Sequence, residues 1–118
     1  AAGLLALAAP MALMASAAQA ADVSYYAVPR GARPHDVAPD PKPRGPVWYT
    51  AQGQGALGRL DPASGKAEQI ALGEGSSPHG VIVGPDGAPW VTDSGLNAVL
   101  RVDPKAALID WRTDIPYT

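Results

Sequence analysis

RPHDV at positions 33–37 is matched by SPHGV at positions 77–81, and the fold prediction starts from this pair of segments. Two further motifs follow each segment in the same order. VWYTA at 47–51 corresponds to PWVTD at 89–93, and LGRLDP at 57–62 corresponds to VLRVDP at 99–104. Recurrence of three separate motifs in one order indicates that the chain contains two copies of a single structural unit.

The spacing between the copies locates a loop. The offset is 44 residues at the histidines, His35 and His79, but 42 residues at the tryptophans, Trp48 and Trp90. The first copy therefore carries a two-residue insertion, around residues 41–45. Surface loops tolerate insertions of this kind, so we expect residues 41–45 to connect two strands.

Each copy has the pattern of short β-strands. In the second copy, Gly80–Val83 and Trp90–Thr92 are rich in β-branched or aromatic residues and flank the turn sequence Pro85-Asp86-Gly87. Val99–Val102 gives a third strand, and Lys66–Leu72 of the first copy alternates polar with apolar residues like an outer strand. Four strands thus fit each copy. Convincing helical periodicity is absent after Ala21.

A four-stranded unit that recurs at this period is typical of the blades of a β-propeller. We therefore predict an all-β fold, a partial β-propeller of about two four-stranded antiparallel blades, with repeats at about 33–76 and 77–118. Val23–Val28 is predicted to be an outermost strand. It comes before the first blade in the chain, as the strand that closes a propeller ring does. Ala107–Arg112 is predicted to be another outer strand.

Two blades are too few to close a ring, since propellers need about four to eight blades. We therefore expect residues 21–118 to be the N-terminal part of a longer propeller that is a monomer at full length. The alternative is that two-blade chains assemble into a dimer or tetramer.

The N-terminal residues 1–20 are predicted to be a signal peptide. Leu4–Met14 is an apolar run of the length expected for a signal-peptide core, and Ala18-Gln19-Ala20 provides a cleavage site. An uncleaved membrane anchor is the alternative, although Pro10 interrupts a stretch that is short for a membrane span. We expect cleavage after Ala20, export to the periplasm or the exterior, and no membrane contact afterwards.

Composition excludes several classes of function. The 118 residues include 9 Lys and Arg against 11 Asp and Glu, a formal net charge of −2, which gives no basic surface for nucleic acid. The absence of cysteine excludes disulfides, thiolate metal sites and a cysteine nucleophile. Any bound metal must therefore have oxygen or imidazole ligands.

The chain resembles the blade repeat of the streptogramin lyases, also called virginiamycin B lyases, over nearly all of Arg33–Pro104. The motifs that carry the resemblance are Pro78-His79-Gly80-Val81, Pro85-Asp86-Gly87, Trp90-Val91-Thr92-Asp93, Asn97 and Arg101-Val102-Asp103. The resemblance implies a seven-bladed propeller that confers antibiotic resistance by opening cyclic depsipeptides through elimination at an ester bond. It further implies a histidine base and a magnesium ion (Mg2+) held by carboxylates. In the family, the residues with these roles belong to later blades of the propeller.

His79 and His35 are the candidate catalytic residues, because elimination needs a base that titrates near neutral pH. Both follow a proline at the start of an innermost strand, which would place them together at one rim of the propeller. The alternative is that each imidazole binds backbone groups and fixes a loop. Asp93, where the family repeat commonly has glutamate, is the candidate metal ligand; the alternative is a turn-capping role.

The other recurring polar and aromatic residues are interpreted as structural. Asp61 and Asp103 precede prolines and are predicted to cap turns. Trp48 and Trp90 are predicted to pack within the blades. Arg59 and Arg101 are predicted to pair with acids of the neighbouring blade or with backbone carbonyls.

Three functions fit the sequence. The first is a carbon–oxygen lyase that opens a cyclic ester or depsipeptide at full length, residues 1–118 alone being inactive. The second is a metal-dependent lactone hydrolase of the gluconolactonase type, and the third is a non-catalytic exported propeller that binds a ligand. Export counts against an antibiotic substrate, since detoxification inside the cell needs no signal peptide. The expected partner is a small cyclic ester or lactone.

Overall fold

The computed structural model describes residues 19–116, which form two four-stranded sheets. The predicted signal peptide lies outside the described residues, except for its last two positions. The sheet of the first copy, called the first blade, contains β1 (Pro34–Pro39), β2 (Val47–Ala51), β3 (Ala56–Leu60) and β4 (Ala67–Ala71). The second blade contains β5 (Pro78–Val83), β6 (Pro89–Asp93), β7 (Ala98–Asp103) and β8 (Leu108–Asp114).

Both blades are antiparallel meanders in which each strand pairs with the next one along the chain. The predicted all-β fold of two four-stranded blades is confirmed. The predicted turns lie between the strands, because Pro and Gly set the backbone angles that a chain reversal needs. Among residues 19–116, no helix is long and apolar enough to span a membrane.

The prediction of a strand at Val23–Val28 is wrong, because this segment forms no strand. A strand needs a neighbouring backbone for its N–H and C=O groups, and both blades already end in their own outer strands, β4 and β8. The segment instead lies against the first blade. The Tyr26 hydroxyl donates a hydrogen bond to the carbonyl of Pro62 at 3.2 Å.

The two blades pack face to face through one apolar core. Trp48 and Leu57 of the first blade are buried against Val81 and Val91 of the second. The core therefore joins two different faces of the repeat, because Trp90 and Val99, the equivalents of Trp48 and Leu57, line the face of the second blade that points away from the first. Burial of this surface is the main stabilising contribution to the pair of blades.

Equivalent positions in the two blades differ in exposure. Ala38 is 8% exposed, whereas its equivalent Ile82 is 66% exposed. Thr50 is 0% exposed, whereas Thr92 is exposed. The second blade therefore presents an uncovered, largely apolar face at the positions that the first blade buries. An apolar groove of about 270 Å³, lined in part by Ile82, Trp90 and Val99, runs along this face.

Candidate active site

His35 and His79 lie together at one end of the two blades. They occupy the same position in β1 and β5, two strands that contact each other. Their ring centroids are 3.8 Å apart, the ring planes are tilted by 39°, and both side chains are exposed. The predicted proximity of the histidines is thus confirmed, while their catalytic role stays a prediction.

Asp36 is a charged residue of this site that was not predicted from the sequence. Its Oδ2 accepts a hydrogen bond from the backbone N–H of Val81 in the second blade at 3.0 Å. Its Oδ1 accepts from the N–H of Val37 at 3.0 Å. The bond from Val81 is the largest cause that lowers the pKa of Asp36, followed by the bond from Val37; the nearby His35 and His79 lower it further. Asp36 is therefore anionic at neutral pH, beside both imidazoles.

One signal in the sequence could have identified Asp36. It is a charged residue at the position where the second copy has Gly80. The two motifs around the histidines differ at this position, so the acid is not a requirement of the repeat itself. A residue that departs from the repeat is a candidate for a role between blades or in the site.

Thr50 links the first blade to the backbone of His79. Its hydroxyl donates a hydrogen bond to the carbonyl of His79 at 2.9 Å and accepts one from the N–H of Asp36 at 3.0 Å. Because Thr50 is 0% exposed, water does not compete for these bonds. In the sequence, the recurrence of threonine at the equivalent position 92 could have indicated a role for Thr50. In the second blade, the Thr92 hydroxyl likewise accepts from the N–H of Gly80 at 3.0 Å.

Asp93 is turned into the loops at the end of the second blade. Its Oδ1 accepts hydrogen bonds from the N–H groups of Ser77 and Leu96, both at 2.9 Å. Its Oδ2 accepts from the hydroxyl of Ser76. The side chain is 3% exposed, so all of this bonding is within the protein. These contacts match the alternative, turn-capping interpretation of Asp93; its role as a metal ligand stays a prediction.

The first blade fills the same space with alanines. Ala51 stands at the position of Asp93, and Ala32 stands at the position of Ser76. Both alanines are buried in one apolar cluster, at 0% and 1% exposed. In each copy, the end of the second strand thus contacts the segment before the first strand. Apolar packing stabilises this contact in the first blade, and hydrogen bonds stabilise it in the second.

The described residues do not provide a magnesium site by themselves. Within residues 19–116, no group of three or more histidine or carboxylate side chains is close enough together to hold a metal ion. The oxygens of Asp93 are already occupied by three donors, whereas Mg2+ binds through carboxylate oxygens and water in octahedral geometry. The set of donors on these two blades therefore does not fit the ion.

Substituting Asp93 with alanine is expected to lower the free energy of unfolding by about 1–2 kcal/mol, because two N–H donors and one hydroxyl lose their acceptor. Thermal unfolding with EDTA and with added Mg2+ would measure the loss. We expect the same loss in both buffers, and a smaller one for Asp93→Asn, which keeps an acceptor oxygen. A loss that appears only when Mg2+ is present would instead support a metal-binding role.

The remaining recurring residues have structural roles, with one correction. Asp61 and Asp103 cap turns, as predicted: Asp61 accepts from the N–H of Ala63 and Asp103 from that of Lys105. The predicted pairing of Arg101 with a neighbouring blade is wrong, since Arg101 binds two acids of its own blade, Asp86 and Asp110. These acids are nearer because β7 lies between β8, which carries Asp110, and β6, which follows the turn that carries Asp86.

The tryptophans have packing roles, as predicted. Trp48 is 1% exposed and lies in the core between the blades, with the guanidinium of Arg59 5.7 Å from its ring centroid. Trp90 is half-buried, and its ring lies 5.2 Å from that of Trp111 in the outer strand. Arg59 thus contacts an aromatic face of its own blade.

No family model matches the chain. Among curated proteins, the chain is similar to a gluconolactonase of Zymomonas mobilis, with 51% identity over 43 residues. This match covers 35% of the chain and 12% of the gluconolactonase. Its length is that of one blade repeat.

Among solved structures, the chain is similar to a streptogramin B lyase, with a TM-score of 0.67, 24% identity and coverage of 77% of this chain. It is also similar to a catalytically inactive histidine-to-alanine variant of virginiamycin B lyase from Staphylococcus aureus with quinupristin, with a TM-score of 0.67 and 28% identity. In both cases the chain spans 30% of the length of the solved structure. The resemblance to the streptogramin lyases is confirmed, as a match to part of their propeller.

Proposed function

We propose that these two blades are part of a β-propeller similar to the streptogramin lyases, and that their histidine-bearing rim contributes to the binding and eliminative opening of a cyclic ester or depsipeptide. The observation that carries the proposal is the exposed pair of His35 and His79, 3.8 Å apart, at one end of the blades. The similarity to virginiamycin B lyase, which extends over both blades, supports it.

The chemistry of elimination fits the groups at this rim. A base removes the proton from the carbon next to a carbonyl, and the electrons of that C–H bond form a C=C bond. The ester C–O bond breaks at the neighbouring carbon, and the carboxylate leaves with its electrons. Imidazole is suited to accept the proton near neutral pH. The anionic Asp36, beside both rings, would stabilise the imidazolium that forms.

We expect the activity to need more of the propeller than residues 19–116. The uncovered apolar face of the second blade, with Ile82 66% exposed, is the face on which a third blade would pack. The magnesium ion that the resemblance implies would also need carboxylates from outside these residues. We further propose that the protein is exported and acts as a monomer.

Hydrolysis of a lactone is the second candidate. The similarity to gluconolactonase, at 51% identity over one repeat, favours it specifically. A lactone and a cyclic depsipeptide are both cyclic esters, so the two candidates share a substrate class and differ in the step that opens the ring. In hydrolysis, water attacks the carbonyl carbon and is incorporated into the product.

Mass spectrometry of the product distinguishes the candidates. Elimination leaves the mass of the ring-opened product equal to that of the substrate, whereas hydrolysis adds one water. We expect the full-length protein to open a cyclic depsipeptide without change in mass, and His79→Ala or His35→Ala to lower turnover about a hundredfold. Lys105→Ala, at an exposed turn, is the control. An intact substrate, or unchanged turnover in both folded histidine variants, would contradict the proposal.

A further inference from the structure

The second blade holds Arg101 between two carboxylates. Its Nη2 and Nε donate to Oδ2 of Asp86 at 2.6 Å and 3.2 Å, and its Nη1 donates to Asp110. The hydrogen bond from Arg101 is the largest cause that lowers the pKa of Asp86. Asp86 belongs to the turn between β5 and β6, at the end of the blade opposite the histidines.

The first blade has the same arginine without these partners. Arg59 is the equivalent of Arg101, but Arg44 stands at the position of Asp86, and Glu68 stands at the position of Asp110. Glu68 pairs with Lys66 at 2.8 Å. In the part of the chain from residue 19 to residue 116, neither Arg44 nor Arg59 forms an ion pair.

Arg44 and Arg59 line a common cavity of about 370 Å³. Lys66, Asp61 and Glu68 also line it, so three cationic side chains face two carboxylates. Asp61 is engaged in its own turn, where it accepts hydrogen bonds from the Ser64 hydroxyl and the N–H of Ala63. Neither guanidinium group donates a hydrogen bond to another residue within 19–116, although the charge of Arg59 is near enough to Asp61 and Glu68 to help lower the pKa of both.

We propose that this cavity binds the carboxylate of a small organic acid between Arg44 and Arg59, in the place that the Asp86 side chain occupies beside Arg101. The planar guanidinium group donates two parallel hydrogen bonds to a carboxylate, which accounts for this choice of ligand. The excess of one positive charge favours a monoanion, and the nearby Asp61 and Glu68 disfavour ligands of higher negative charge. The cavity is separate from the histidine rim, so this site does not depend on the proposed activity.

A titration of the full chain with benzoate, followed by NMR of the arginine side-chain N–H groups, tests the site. Benzamide, which has the same shape without the charge, is the matched ligand control. We expect benzoate to bind with a dissociation constant on the order of millimolar and to shift the resonances of Arg44 and Arg59. Benzamide should bind at least tenfold more weakly. Absence of benzoate binding, or equal binding of benzamide, would overturn the proposal.

Arg44→Asp places a carboxylate at the sequence position of Asp86 and should fill the site with its own side chain. It suits the backbone, because Arg44 has a positive φ of 61°, which aspartate adopts more readily than arginine. We expect benzoate affinity to fall at least tenfold. Lys105→Asp makes the same change of charge at an exposed turn and should leave affinity unchanged. If both variants lose affinity equally, only net charge attracts the ligand, and the site is refuted. Arg59→Gln gives the same test should Arg44→Asp fail to fold.

Discussion

Gly58→Ala is expected to lower the free energy of unfolding by more than about 3 kcal/mol. Gly58 lies in β3 directly opposite Tyr49 of β2, and the tyrosine ring covers it. A methyl group at position 58 would lie 1.9 Å from Cζ of that ring. Tyr49 is 3% exposed, so the ring cannot move without displacing its packed neighbours. Urea unfolding followed by tryptophan fluorescence would measure the loss.

The second blade supplies a matched control for this prediction. At the equivalent positions it has Val91 and Leu100, which are opposite each other in β6 and β7 and buried. The first blade thus pairs the large side chain of Tyr49 with a glycine, which has no side chain, whereas the second blade pairs two side chains of intermediate size. We expect Gly58→Leu alone to be more destabilising than Gly58→Ala, and the double variant Tyr49→Val/Gly58→Leu to recover most of the loss. A double variant no more stable than Gly58→Leu would show that the pair is not complementary.

Thr50→Val is expected to cost about 2–3 kcal/mol of unfolding free energy, although the two side chains have the same shape. The substitution removes the hydroxyl that donates to the His79 carbonyl and accepts from the Asp36 N–H. Both backbone groups would lose this partner at a position that is 0% exposed. Denaturant unfolding would measure the cost, and His79 should also become more mobile.

Thr92→Val is the control, because it makes the same change at the equivalent exposed position of the second blade. The N–H of Gly80, its hydrogen-bond partner, can be solvated there, so we expect a cost below about 1 kcal/mol. Equal costs for Thr50→Val and Thr92→Val would mean that the bond to His79 does not hold the blades together. Thr50→Ser, which keeps the hydroxyl, should retain more stability than Thr50→Val.

The proximity of His35 and His79 could be predicted from the repeat. Residues at the same position of adjacent blades lie side by side, so a recurring Pro-His motif predicts a pair of imidazoles without knowledge of distances. The same reasoning was wrong for Val23–Val28, since a strand-like composition forms a strand only where a partner backbone is available. Asp93 was ambiguous in the sequence, because metal ligands and turn caps use the same carboxylate.

Local patterns in the sequence were sufficient to predict the two-blade repeat, its turns and four strands in each blade. These depend on local chemistry: side-chain alternation along a strand, and the backbone angles and caps that Pro, Gly and Asp provide. Three arrangements became evident only from the folded structure: Asp36 accepts from Val81, Thr50 binds the backbone of His79, and Arg44 and Arg59 share a cavity. Such contacts join residues far apart in the chain, and their energy depends on which groups are buried together, which no local pattern encodes.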